Sequence, residues 1–252
     1  TLKSVEKVKS LSSLPTLCIT NKEDSTIWKI CDYKVACYAG EEHGIAATKS
    51  FTSQMLCLIL ISLKLVENVH GVEATGEYKK SIFRLPVIIN QALAKRKEIK
   101  ELAKFLAKQN LVVITADGIS YSLAKEAALK IKETSYKNIS AAILGEFMHG
   151  HVAVFNNKGA LFYIAVDKIS KRSISNLQKI KADYNPKLVI IGPSSEELQP
   201  DFNININCEN EIQQMFADVL ICQQLALETA LKLKRNVDNP KGLHKVVVDK
   251  NI

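Results

Sequence analysis

The chain has 252 residues, 47% of them hydrophobic and 24% charged, which is enough apolar material for one large domain or two modest ones with buried cores. Its 34 Lys and Arg against 26 Asp and Glu leave a net charge of +8, but the lysines are scattered along amphipathic segments, which argues against a nucleic-acid partner and suits a small anionic substrate. The cysteines Cys18, Cys31, Cys37, Cys57, Cys208 and Cys222 fall mostly in apolar runs without a CxxC pair, so reduced core thiols in a cytoplasmic protein are expected, with no metal or other cofactor. The longest apolar run, Met55 to Ile61, is too short for a bilayer, so no membrane partner is expected either.

In chain order, a helix is expected near Leu2 to Ser10, then short strands near Leu17 to Thr20 and Lys34 to Tyr38. The stretch EEHGIAATKSFTSQ, Glu41 to Gln54, sets Gly44, Ala46 and Ala47 before Thr48 and an apolar helix. Free amides at that helix start suit an anion or sugar hydroxyls, and plain helix capping explains the residues equally well. Ala92, Ile99, Leu102, Phe105 and Leu106 recur at helical spacing, so residues 84–109 read as a linking helix.

Beyond it, the runs Leu111 to Thr115, Leu161 to Val166 and Leu188 to Ile191 alternate with helical patterns, the rhythm of an α/β fold with a parallel sheet flanked by helices. Asp117-Gly118 and Gly192-Pro193 mark turns at strand ends, where such sheets bind ligands. Gln54-Met55 with Leu63-Lys64-Leu65 and Asn68-Val69 has an echo in Gln214-Met215 with Leu231-Lys232-Leu233 and Asn236-Val237, which suggests two copies of one unit. The copies are then unequal: residues 1–83 hold only the back half of a first unit, residues 110–234 a second unit, and residues 235–252 an extended tail that can lie across a site.

Ser120 to Ser135 is strongly helical by composition. Ala124, Ala127, Ala128 and Ile131 share one face, Lys125 and Lys132 a second, and Glu126, Lys130 and Glu133 fall at i, i+4 and i+7 on a third. Such a line is commonly a solvated ladder of charges; the alternative is a general base held by its neighbouring lysine. In GEFMHGH, Gly145 to His151, two glycines bracket a turn that can carry His149 to a ligand; His149 and His151 also resemble a metal pair, but no third ligand has the spacing for it. In the tail, Pro240 and Gly242 oppose helix before His244-Lys245.

Taken together, HGIAATKSFTSQ, LAKEAALKIKETSY, GEFMHGH and NPKGLHK resemble, in order and rough spacing, the sugar isomerase (SIS) family, in particular the isomerase half of glucosamine-6-phosphate synthases and related glucosamine-6-phosphate deaminases. The resemblance covers essentially the whole chain and implies two flavodoxin-like units. It implies that Glu133 moves a proton between C1 and C2 of the open-chain sugar, with Lys130 beside it, that His149 opens the ring, and that Lys245 forms an imine with the ketose. It also implies that Ile45, Ala47, Thr48, Glu126 and His244 line the sugar, and that a homodimer shares its active sites through His149. The implied partner is a sugar phosphate, fructose 6-phosphate or glucosamine 6-phosphate. A stand-alone isomerase or deaminase is the first expectation, the isomerase part of a glutamine-dependent synthase the second, and a non-catalytic sugar-phosphate sensor the third. The chain departs from the family pattern at His151, where Pro is usual, and at Ala47, where Ser is common. The family's phosphate-holding loops belong to the front half of the first unit, so the chain is expected to be a fragment.

Overall fold

A computed structural model describes residues 1–156 and 158–245, and the chain divides into two compact units at Gly76. The first contains α1 (Leu2–Leu11), β1 (Leu17–Thr20), α2 (Thr26–Ile30), β2 (Tyr33–Ala36) and α3 (Lys49–His70), closed by a 3-10 turn over Val72–Thr75. β1 and β2 run parallel, Leu17 opposite Tyr33 and Thr20 opposite Ala36, and among the described residues they form a two-stranded sheet. α2 is capped by Ser25, whose side chain accepts from the Trp28 amide.

α3 is 22 residues long with a mean hydropathy of 1.4 over its most apolar window, long and apolar enough by length and composition to cross a membrane. The short run Met55 to Ile61 understates it, because Ser62 and Lys64 interrupt the apolar stretch without interrupting the helix. Only Leu63 and Glu67 of α3 are buried within this unit. Glu67 accepts a 2.5 Å hydrogen bond from the Thr75 hydroxyl and so ties the helix end to the turn that follows.

The second unit opens with α4 (Gly76–Phe83), and the expected linking helix resolves into two, α5 (Leu85–Ala94) and α6 (Arg96–Lys108), broken at Lys95. There follow β3 (Val112–Ala116), α7 (Ser120–Ser135), β4 (Ile139–Ile143), α8 (Leu144–Phe147), a 3-10 turn over His151–Phe155, β5 (Ala160–Ile164), α9 (Lys171–Tyr184), β6 (Lys187–Ile191), β7 (Phe202–Ile204) and α10 (Glu211–Lys232). Among the described residues its five strands are all parallel, in the order β4-β3-β5-β6-β7.

Side chains alternate between the two faces of this sheet, and both faces are buried, hence the near-continuous apolar runs of β3, where Thr115 turns its hydroxyl to the Phe162 carbonyl, and of β5. Val113, Leu161, Tyr163, Leu188 and Ile190 share one core with Leu144 and Phe147 of α8 and Ile174, Leu177 and Ile180 of α9. The intervening positions turn to the other face, where α7 packs on β3, β4 and β5 and is itself covered by α10. Gly192 closes the end of β6 at φ 96°, and a Cβ there would stand 2.0 Å from the Ala165 carbonyl oxygen, so no other residue fits.

The likeness between α3 and α10 lies in the fold and not in sequence register. Both helices have 22 residues, but Leu63-Lys64-Leu65 lies inside α3 whereas Leu231-Lys232-Leu233 runs off the end of α10.

Candidate functional site

α7 begins after the Asp117-Gly118 turn and ends at Tyr136, which takes the left-handed conformation (φ 60°) that stops a helix. Leu123, Ala124, Ala127, Ala128 and Ile131 are all buried, the small residues allowing close approach to the sheet. On the adjoining face the charged line is not a solvated ladder. Lys130 is 4% exposed, and its ammonium donates a 2.6 Å hydrogen bond to Glu133 Oε2 while Glu126 Oε1 lies 3.6 Å away. The Glu126 side chain is 13% exposed and that of Glu133 25%. The line therefore runs from buried to reachable, with the ammonium between two carboxylates.

Burial holds the Glu126 carboxyl above its usual range, opposed by Lys130 and reinforced by Glu133. Its Oε1 has no hydrogen-bond partner among the described residues. The Thr134 hydroxyl, one turn past Lys130, donates to the Lys130 carbonyl at 2.8 Å and lies 3.4 Å from the Ala226 carbonyl of α10, seating α7 against that helix.

The carboxyl ends of the strands, where a ligand is expected on general grounds, are bridged in this unit by its own side chains. The Tyr163 hydroxyl and the Ser173 hydroxyl both donate to Asp117 Oδ2, at 3.1 and 2.8 Å, and the Val166 amide donates to the Ser120 hydroxyl. Burial pushes Tyr163 up to about 12. α7 runs back from that end, so Glu133, 13 residues past Ser120, lies about 20 Å from it at 1.5 Å per residue. The reachable carboxylate belongs to the far end of the helix.

That far end also holds the start of the tail. The Lys241 amide donates to the Tyr136 hydroxyl at 2.5 Å, and the Arg235 guanidinium lies 5.1 Å from the Tyr136 ring centroid. Tyr136 is the anchor that sequence reasoning missed, although it closes the motif LAKEAALKIKETSY. His244 and Lys245 follow on the exposed surface, and residues 246–252 of the expected tail lie outside the described residues.

His149 is exposed in the turn between α8 and the 3-10 segment, with Gly150 at φ 95° behind it. No hydrogen bond joins it to Glu133 or Lys130 among the described residues. Ile45, Ala47 and Thr48 belong to the first unit, at the start of α3. There the expectation of free helix amides fails: Glu42 Oε1 accepts from the Thr48 and Ser50 amides at 2.9 and 3.2 Å, and its Oε2 accepts from the Ser50 hydroxyl at 2.6 Å. A carboxylate of the chain itself occupies the place an anion would take, as the capping alternative has it. No signal short of the fold pairs Glu42 with Ser50.

Behind α7, α10 carries a second buried carboxyl. Asp218 is fully buried, accepts a 2.8 Å hydrogen bond from Gln214 and keeps Oδ2 without a partner among the described residues, so burial holds it well above the ordinary 3.8. Burial also raises the Cys222 thiol, with Asp218 and then Glu126 adding to it. A carboxyl raised by folding binds more protons in the native than in the unfolded chain, so its contribution declines as pH rises above the ordinary carboxylate value. Asp218→Asn is accordingly expected to flatten the loss of stability between pH 4 and 8, read from urea midpoints across that range; an unchanged slope would show that Asp218 is ionised in the fold.

The SIS domain family model matches residues 1–63 and 105–233. Among curated relatives, glutamine–fructose-6-phosphate aminotransferases (isomerizing) of Methanosarcina acetivorans and of Xylella fastidiosa strain Temecula1 are 29% and 31% identical over 98% of this chain, and the chain spans 41% of the length of each. Among solved structures, the C-terminal domain of glucosamine-fructose-6-phosphate aminotransferase from Francisella tularensis superposes with a TM-score of 0.86 at 24% identity, covering 95% of this chain and 69% of that one. A glucosamine-6-phosphate deaminase from Thermotoga maritima has a TM-score of 0.68 at 20% identity, covering 92% of this chain and 66% of that one. At these identities the two structures show the shared fold.

Proposed function

The chain belongs to the SIS domain family, and on that premise we propose that it carries the isomerase chemistry of an amino-sugar phosphate enzyme, interconverting fructose 6-phosphate and glucosamine 6-phosphate by imine formation and 1,2-proton transfer. The observation that carries this reading is the buried Lys130 between Glu126 and Glu133. Removing an ammonium and two carboxylates from water costs several kcal/mol per ion, with roughly that much or less returned by the pairing, so such a line is poor surface decoration and a good way to hold a base. A module that only sensed a sugar phosphate has no use for it.

In this reading the amine of Lys245 adds to the C2 carbonyl of the open-chain ketose and water leaves, forming the imine; ammonia then adds at C2 and the Lys245 amine leaves, so the nitrogen kept by the sugar is that of the ammonia. Glu133, fixed by Lys130 through Oε2, takes the proton from C1 and returns it at C2. Lys245 lies four residues past Lys241, whose amide is tied to Tyr136, so its Cα is within about 14 Å of that anchor. His149 serves ring opening; it is exposed, and in a homodimer it completes the site of the neighbouring copy. Ile45, Ala47, Thr48, Glu126 and His244 remain the proposed lining of the sugar.

The names of the curated relatives favour the isomerase part of a glutamine-dependent aminotransferase over a stand-alone deaminase, the reading that the sequence puts first. The two are separated by incubating the gene product that carries this chain with fructose 6-phosphate plus glutamine, with fructose 6-phosphate plus ammonia, and with glucosamine 6-phosphate alone. Turnover that requires glutamine supports the aminotransferase and rules out the deaminase. Release of ammonia from glucosamine 6-phosphate as the main activity reverses that order, and binding without turnover removes both.

A further inference from the structure

The second unit has a pocket of about 710 Å³ at the amino ends of β3, β5 and β6, the end of the sheet opposite the Asp117 bridge. Small-molecule sites run to roughly 300–1,000 Å³, so it can hold one. Its walls are the last turn of α6, the end of the 3-10 turn over His151–Phe155 and the starts of β5 and β6. Among the described residues it shares none with the Lys130 line or the tail, so it stands apart from the catalytic reading.

The charge in the lining has one sign. Lys108, Lys158 and Lys187 all line the pocket, and among the described residues no aspartate or glutamate does. Lys187 is balanced by Asp201 at 2.8 Å, and Lys95 and Lys104 elsewhere in this unit are paired with Glu98 and Glu101. The side chains of Lys108 and Lys158 have no ion pair or hydrogen bond among the described residues. A cleft of this kind concentrates anions. The carbonyls at the end of α6 would oppose an anion, but the Lys137 ammonium takes them up, donating to the Ala107 oxygen at 3.1 Å and to that of Gln109 at 2.6 Å. The rest of the lining is aromatic and amide. Phe105 is half-buried in the wall and is backed by Phe202, ring centroids 5.1 Å apart, so it is held as a surface on which a planar ring can stack. Asn110, Asn156 and Asn185 bring uncharged donors and acceptors of the kind that sugar hydroxyls pair with.

We infer that this pocket binds a nucleotide, with its phosphates met by Lys108 and Lys158, its base laid on Phe105 and its ribose among the asparagine amides. A bare phosphate would leave Phe105 without a role. A neutral nucleoside would leave the two free ammonium groups without a counter-charge. Every base has a π face, so stacking on Phe105 does not choose among the bases.

The test is equilibrium dialysis of three probes against the gene product that carries this chain, at about 0.15 M salt: ATP, tripolyphosphate, which has the charge without base or ribose, and adenosine, which has base and ribose without the charge. ATP is expected to bind at least roughly tenfold more tightly than either, and to slow hydrogen exchange at residues 105–111 and 185–189. Lys108→Gln with Lys158→Gln alters only exposed positions and is expected to weaken ATP by at least roughly tenfold. Lys168→Gln with Lys171→Gln removes the same charge from exposed positions at the other end of the sheet and is expected to leave ATP binding unchanged. Phe105→Leu should weaken ATP and spare tripolyphosphate; should the loss of its contact with Phe202 unfold the variant, the lysine pairs and the three probes decide without it. Tripolyphosphate bound as tightly as ATP overturns the inference, since the anion alone would then account for binding. Equal weakening by the two lysine pairs also overturns it, as the mark of diffuse charge, and so does ATP that fails to bind or binds without protecting those segments.

Discussion

Glu133→Gln is expected to lower proton exchange at C1 of the bound sugar by about 10²–10⁴-fold, the range over which a positioned base contributes, with sugar binding changed little. The amide keeps the shape of the carboxylate and can still accept the hydrogen bond from Lys130, so the fold and the buried ammonium are preserved. Only the proton acceptor is lost. Wash-in of deuterium from solvent, measured beside equilibrium binding of the sugar phosphate, reads the two effects separately. Exchange that persists in the variant would transfer the role to another base. Weakened binding with normal exchange per bound sugar would make Glu133 a positioning residue.

Lys130→Met is expected to have the second large effect, this time on stability as well as on exchange. Breaking a buried pair leaves uncompensated charge and typically costs about 3–5 kcal/mol; here roughly 2–4 kcal/mol is expected, because Glu133 is a quarter exposed and can turn to water. Glu126 cannot, being deeper and already raised by burial. Without the ammonium it binds its proton more tightly in the folded chain than in the unfolded, so the deficit is smallest at low pH and grows as pH rises above the ordinary 4.5. Urea midpoints at pH 5 and 8 show this directly. Adding Glu126→Gln should restore most of the stability and none of the exchange, which separates the structural part of Lys130 from its part in catalysis. A Lys130→Met variant as stable as the parent at pH 8 would mean that the line is a solvated ladder after all.

Elements with strong local signals were legible. β3, β5 and β6 are found within a residue or two of their apolar runs, because a strand buried on both faces is predominantly apolar along its length. β4 and β7 were not: β4 is an edge strand with a Ser-Ala-Ala centre, and β7 is three residues among asparagines, so both owe their conformation to the strand beside them. α2 and α8 are too short for periodicity to show. At the site, Glu133 and Lys130 were within reach of sequence because helical spacing is local. Tyr136 and Glu42 were not: the Tyr136 hydroxyl meets a backbone amide 105 residues later, and the Glu42 carboxylate meets the Thr48 and Ser50 amides only through the path of the loop between them.

The amino-acid sequence by itself determined that Glu126, Lys130 and Glu133 stand on one line, because the pitch of a helix is set by its own backbone hydrogen bonds. It also determined the α/β rhythm. Only the tertiary structure decided which way that line faces. Lys130 is buried because α10, some 90 residues further on, packs along α7 and Thr134 reaches its Ala226 carbonyl, and burial is a property of the pair of helices that neither segment carries alone.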